Sequence, residues 1–299
     1  MKRKRLIVVI VLTLFAPHEL LAPANCAWTT VPANINFGTY SVFGGSNVDA
    51  PSSYTVNVAP GIAATVKLST GSSLSYNQRM APRTTTPAAN LNYNLYTDAT
   101  YIPVWGDGSS NTKFPTYNGA KGSNSFSATI YGRVPPSQDV PAGTYTDTIN
   151  ATLSCTAVND TRSFPVTTTV SSDCTVSNSA VSFGAYDPVV ANASTPLDAI
   201  GNVNVYCTMN TAVTVSLDLG THASGSTRRM LGTSGDFLTY VLYRNSTHNT
   251  VWDTTNTKTS TSTTMLTYMT GLQAWGEIPA GQNVGIGSYS DTVLATVNY

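Results

Sequence analysis

One phrase occurs twice in this chain. "GTYTDTINATLSC" fills residues 143–155 and "GSYSDTVLATVNY" fills 287–299. Six further matches precede the two copies in the same order. "INFGTY" (35–40) matches "VSFGAY" (181–186), "YTVNV" (54–58) matches "GNVNV" (201–205), and "QRM" (78–80) matches "RRM" (228–230). "LNYNLY" (91–96) matches "LTYVLY" (238–243), "VW" (104–105) recurs at 251–252, and "YGRVP" (131–135) matches "WGEIP" (275–279). Every offset lies between 144 and 150 residues. A period this long means two domains of one fold, not a solenoid of short repeats. The expected division is 25–171 and 172–299.

Each copy reads as short strands. "IAATVKL" (62–68), "VTVSLDL" (213–219) and "SFSATIYGRV" (125–134) alternate apolar and polar residues, and Gly, Pro, Asn and Ser clusters separate such runs. Charged residues are only 10% of the chain, and strong helix formers are scarce. An all-β chain of two tandem immunoglobulin-like β-sandwiches is the expected fold. In the repeated phrase, Tyr145, Ile149, Ala151, Leu153 and Cys155 share one face with Asp147. Tyr289, Val293, Ala295, Val297 and Tyr299 do the same with Asp291. One apolar face at period two marks a half-buried strand. Tyr93 and Tyr96, like Tyr240 and Tyr243, stand three apart, so one of each pair faces a sheet surface.

The two copies differ beyond the repeated phrase. After Cys155 comes a run in which Phe164, Val166, Thr168 and Val170 alternate with other residues. This predicts a further strand near 163–171, antiparallel to 143–155, that completes the first sandwich. Pro165 is tolerated there at an edge or a strand start. The second copy reaches Tyr299 with no such sequel, so its sandwich is expected to lack its last strand. Tyr289, Val293, Val297 and Tyr299 would then face a groove that only a strand from another polypeptide fills.

Residues 1–24 carry a basic "MKRKR" start, an apolar run over Leu6–Ala16 and the small residues of Ala22–Ala24. They read as a secretory signal peptide. Without them the chain has 15 − 4 = 11 basic and 15 − 1 = 14 acidic residues, a net charge of −3. That balance gives no basis for nucleic acid as a partner. Cofactor, metal and catalytic sites are not expected. His222 and His248 lie in Thr/Ser-rich loop sequence without Cys or carboxylates at ligand spacing. The first copy has no His from which to build a triad.

The runs "CTVSNSAVSFGAYDP" (174–188), "GNVNVYC" (201–207), "LTYVLY" (238–243) and "WGEIPAGQNVGIGSYSDTVLATVNY" (275–299), with their echoes in the first copy, resemble the spore coat protein U-type domain family, which includes subunits of archaic chaperone–usher pili. The resemblance implies export to the periplasm, a periplasmic chaperone that lends a strand, an outer-membrane usher, and a next pilus subunit that supplies the donor strand. With almost nothing before Trp28 to serve as a donor extension, the expected role is a tip subunit and adhesin that mediates attachment and biofilm formation. The segment near 163–171 would be the donor strand of the second unit used in cis. A structural spore-coat or cell-surface protein is the alternative, and a carbohydrate-active enzyme on a sandwich scaffold is a third reading.

Four cysteines in an exported chain suggest two disulfides, and three pairings are possible. Cys174 and Cys207 flank the first strand of the second unit and its return, and pairing them closes a loop of 33 residues. Cys26 with Cys155 then follows by elimination; a free or lipidated Cys26 is the other reading. Loops near 71–90, 107–124 and 156–162 are expected at the far end of the first unit. Tyr76, Met80, Phe114 and Tyr117 are their candidate contact residues, for a surface or receptor target that the sequence does not identify. Local packing of the same rings is the competing reading.

Overall fold

The computed structural model describes residues 25–121, 124–156, 158–177, 180–265, 267 and 269–299. The expected signal peptide, residues 1–24, lies outside them. The first half holds β1 (Cys26–Thr30), β2 (Ile35–Tyr40), β3 (Val48–Val58), β4 (Ala63–Leu68), β5 (Arg79–Pro82), β6 (Asn90–Tyr96), β7 (Thr116–Asn118), β8 (Ser125–Val134), β9 (Gly143–Cys155) and β10 (Val158–Val170). The second half holds β11 (Cys174–Ser177), β12 (Leu197–Asn202), β13 (Asn204–Cys207), β14 (Ala212–Leu217), β15 (Arg228–Gly232), β16 (Phe237–Tyr243), β17 (Lys258–Thr261), β18 (Gln273–Ile278), β19 (Tyr289–Ser290) and β20 (Ala295–Asn298).

The first ten strands form two five-stranded sheets, β1-β3-β8-β6-β5 and β2-β10-β9-β4-β7. Their inner faces enclose one core that includes Ile35, Tyr54, Trp105, Ile149 and Phe164. The other ten form a five-stranded sheet β12-β18-β16-β15-β19, a three-stranded sheet β17-β14-β20 and the ribbon β11-β13 around a second core. This is the layered arrangement of an immunoglobulin-like sandwich, used twice. Asp139 of the first half accepts hydrogen bonds from the Met265 backbone N–H (3.0 Å) and the Thr264 hydroxyl, and Met265 packs with the first core.

Most of the repeated sequence words mark repeated core contacts. Arg79 is fully buried and donates to the carbonyls of Ser69 and Trp105 and to Asn94 Oδ1. Arg228 donates to the carbonyls of Asp218 and Trp252. Burial pushes the Arg79 guanidinium down to about 10. The indoles of Trp105 and Trp252 each donate to a neighbouring strand, at Val66 and Val215, over 2.9 Å. Tyr93 donates to Asp147 (2.6 Å) and Tyr240 donates to Asp291 (2.8 Å). Gly71 and Gly220 sit beside those carboxylates at φ +66° and +81°; a Cβ at either would collide with the Asp oxygen. Buried Tyr93 and Tyr240 face the cores, whereas Tyr96 and Tyr243 are half-buried.

Two pairs of repeated words fold differently. "GTYTDTINATLSC" is a continuous strand, β9, but "GSYSDTVLATVNY" yields only the short β19 and β20. "INFGTY" is β2, while "VSFGAY" forms no strand. The difference is β10. It runs antiparallel to β9 over its full length, from Val158 opposite Cys155 to Val170 opposite Gly143, and parallel to β2 from Val166 opposite Ile35 to Val170 opposite Tyr40. One strand thus gives both neighbours their ladder partner. Pro165 precedes the first pair with β2, at a point where β10 has a partner on one side only.

Candidate functional site

The place that β10 holds in the first unit is an open cleft in the second. Its volume is about 660 Å³. Val181 and Phe183 form one wall, Tyr289 to Ala295 form the other, and Val203, Leu217, Met230, Tyr240, Leu242 and Ala274 lie along it. The burial pattern records the difference position by position. Ile35, Phe37 and Tyr40 are buried, whereas Val181, Phe183 and Tyr186 are half-buried. Tyr145, Ile149 and Ala151 are buried, whereas Tyr289, Val293 and Ala295 are half-buried. The second core is therefore continuous with an apolar surface open to water, and a matching strand gains by covering it.

The cleft also exposes unused backbone. β20 pairs with β14 along one edge, through Thr214–Asn298 to Leu217–Ala295. Among the described residues no strand pairs with the opposite edge of 291–298 or with 181–186. Both edges hold N–H and C=O groups of the kind that β10 satisfies in the first unit.

The sequence-derived residues fall into place unevenly. Phe164, Val166, Thr168 and Val170 all point inward from β10 and are buried. Tyr289 and Val293 line the cleft; the Tyr289 hydroxyl donates back to the Gly285 carbonyl (2.7 Å), as Tyr145 does to Pro141 (2.7 Å). Val297 packs at the rim of the second core, beyond the cleft lining. Tyr299 does not face the groove: it is 60% exposed, with its hydroxyl 3.5 Å from Asp173. It occupies the position at which the first unit has Cys155. Cys26 is bonded to Cys155 and Cys174 to Cys207, so both bridges tie a unit's first strand down.

The four candidate tip residues all belong to local packing or strands, and only Tyr117 is buried. Tyr117 lies in β7, buried, sharing a 2.8 Å hydrogen bond with the hydroxyl of Tyr54 and stacking on Phe126. Phe114 is half-buried with the Lys67 ammonium over its ring. Tyr76 donates to the Leu68 carbonyl (2.9 Å) and stands against Arg79, and Met80 belongs to β5. The loop after β4 folds onto Asp147 through Ser72 (2.9 Å), and the loop after β5 returns to Thr144. Neither lies at the far end. That end is formed by the turns around 59–62, 119–121 and 155–158, where Ala59 bonds Asn25 and Gly61 bonds Gly119.

Both histidines meet carboxylates distant in sequence, against the expectation of solvated loops. His222 Nδ1 is 3.0 Å from Asp291, and His248 Nδ1 is 2.9 Å from Glu277. Burial pushes the Asp291 carboxyl up, but hydrogen bonds from Tyr240, Thr221 and His222 outweigh it and hold the group below its ordinary value. The Thr221 hydroxyl and Asp291 share the same ring nitrogen of His222. A catalytic triad needs hydroxyl and carboxylate on opposite nitrogens, so this cluster is a structural clamp.

Comparisons with known proteins agree with the duplication. The model of the Spore Coat Protein U domain matches twice, at residues 13–152 and 160–296. The second match takes in most of β10, although β10 hydrogen-bonds to the first unit. "Protein U" of Myxococcus xanthus is 36% identical over 133 residues, 40% of this chain and 71% of the relative. Among solved structures, the chaperone–tip adhesion subunit complex of the archaic chaperone–usher Csu pili of Acinetobacter baumannii matches at 17% identity. It has a TM-score of 0.49 and covers 92% of this chain and 100% of that one. The CupB6 tip adhesin of Pseudomonas aeruginosa matches at 10% identity and a TM-score of 0.37, over 91% and 94% of the two chains. With both halves matched by one model, this chain belongs to the Spore Coat Protein U domain family.

Proposed function

We propose that this protein is the tip subunit and adhesin of an archaic chaperone–usher pilus. It is exported through the periplasm to the cell surface, and its second unit joins the fibre by accepting a donor strand. The observation that carries this reading is the cleft between 181–186 and 289–295, at the position that β10 fills in the first unit. The donor runs as β10 does, antiparallel to 287–299 and parallel to 181–186. It replaces half-buried apolar surface with a two-sided ladder.

That geometry supports an order of assembly events. An open cleft with bare strand edges is prone to aggregation, so a periplasmic chaperone covers it first. At an outer-membrane usher the next subunit's strand takes the chaperone's place. The first unit already holds its own last strand between β2 and β9. It is free to face a target, and attachment and biofilm formation are the activities expected of it. The role is non-enzymatic.

A structural coat protein is the second reading, favoured by the description of the matching family as the Spore Coat Protein U domain. Immunogold labelling of cells that express the chain with an archaic-type chaperone and usher separates the two. The tip reading expects gold at fibre ends only. Gold along shafts, or a continuous shell without fibres, would overturn it.

A further inference from the structure

The two units carry an equivalent cluster on the outer face of a sheet, with the charge reversed at one position. In the first unit, Asp49 of β3 stands opposite Arg133 of β8, and the guanidinium donates to both carboxylate oxygens at 2.7 and 2.8 Å. The loop after β6 folds back so that Tyr101, at φ +56°, covers the pair. Its ring lies 3.5 Å from the guanidinium and 5.5 Å from the ring of Tyr96. In the second unit, Asp198 of β12 stands opposite Glu277 of β18. The loop after β16 folds back the same way and brings His248, at φ +51°, onto the ring of Tyr243, 4.8 Å away and nearly parallel. The positions correspond: 96 with 243 and 101 with 248 at an offset of 147, and 133 with 277 at 144.

The first unit therefore has a fixed cation where the second has a second carboxylate. Two carboxylates directly opposite in an antiparallel pair repel. Here they also converge on an imidazole. His248 Nδ1 is 2.9 Å from Glu277 Oε2 and 3.8 Å from Asp198 Oδ1, and all three atoms lie within 4.8 Å of one another. His248 and Glu277 are largely shielded, while Asp198 stays exposed on the approach side.

We infer that Asp198, His248 and Glu277 form a binding site for a divalent transition-metal cation of the zinc class, which takes the place that the Arg133 guanidinium holds in the first unit. One imidazole nitrogen and two carboxylate oxygens suit such an ion; a hard ion such as calcium wants six or more oxygens. Water fills the remaining coordination position on the open side. The ion ties the 244–250 loop to β12 and β18, as Arg133 and Tyr101 tie the 97–104 loop in the first unit. The inference is independent of the donor-strand reading.

The test uses the full secreted chain without a histidine tag, purified from the periplasm with whatever partner accompanies it. Equilibrium dialysis against zinc and visible spectroscopy with cobalt give stoichiometry and ligand geometry. The expected result is one zinc per chain and a cobalt spectrum of low coordination number. His248→Ala and Glu277→Gln should each weaken binding at least about tenfold. Glu277→Arg, which installs the first unit's ion pair opposite Asp198, should abolish binding while leaving the far-ultraviolet circular dichroism unchanged. His222→Ala should leave binding intact. No stoichiometric uptake would overturn the inference. Uptake that survives Glu277→Arg, or that is lost with His222→Ala, would overturn it equally.

Discussion

Phe164 of β10 lies directly opposite Ile149 of β9, and both side chains are buried. Val293, which holds the place of Ile149 in the second unit, lines the open cleft instead. The same strand position is thus core in one half of the molecule and the wall of an open cleft in the other.

The first prediction concerns that surface. Val293→Arg places a guanidinium in the wall of the cleft and should reduce co-purification with the chaperone at least tenfold. Thr296→Arg, on the exposed face of the same segment, should not. Equal recovery of both variants with the chaperone would place the chaperone contact elsewhere.

Phe164→Ala removes a buried ring from β10 and leaves a cavity between β9 and β2. The expected cost to the first unit is about 3–5 kcal/mol. Urea denaturation of the chaperone-bound chain, monitored by Trp fluorescence, reads it. A change under about 1 kcal/mol, well below the cost of emptying a core site, would mean that β10 is not an integral strand of the first sandwich.

Tyr117→Ser should act on stability, not on attachment per molecule. It deletes a buried ring, its stack on Phe126 and its hydrogen bond to Tyr54. Attachment assays normalised to surface-exposed protein should match wild type, while the unfolding midpoint falls. A specific loss of attachment with an unchanged midpoint would restore Tyr117 as a contact residue.

Removing either disulfide should destabilise its own unit. The 33-residue separation of Cys174 and Cys207 gives roughly 4 kcal/mol in the chain-entropy model, and the 129-residue separation of Cys26 and Cys155 gives roughly 5. Paired Cys→Ser variants, compared by denaturation under oxidising conditions, check both values. A loss confined to the wrong unit would contradict the pairing.

Asp291 supplies a pH dependence. Its carboxyl is held below the ordinary value, so its contribution to stability is present above the unfolded value of about 3.9 and is lost as pH falls through the lowered folded value. Asp291→Asn should therefore cost stability at pH 7 and cost less at pH 3. Measuring the urea midpoint at both values tests this; a variant penalty that grows toward pH 3 would reverse the sign.

The sequence displayed the architecture well because the duplication sampled it twice. The Arg–Met, Val–Trp and Tyr–Asp echoes each mark a contact made once per unit. The alternation of Phe164, Val166, Thr168 and Val170 was readable because β10 buries one face only. What stayed hidden depends on distance in the chain. His222 and Asp291 are 69 residues apart and His248 and Glu277 are 29 apart, so spacing rules for local ligands could not join them. Tyr117 and Phe114 looked like loop tips because turn residues surround them. Only the pairing of β7 with β4 turns Tyr117 inward.

The most direct measurement transplants the first unit's connection onto the second. Adding the sequence of residues 156–170 after Tyr299 places a strand where β10 succeeds Cys155. Amide hydrogen exchange is then compared between the extended and the natural chain. The account predicts that the extended chain is a soluble monomer without a chaperone, and that amides in 181–186 and 289–298 slow to the level of 143–155. Amides already protected in the natural chain, or unchanged by the added strand, would show that the cleft is not a strand-acceptor site.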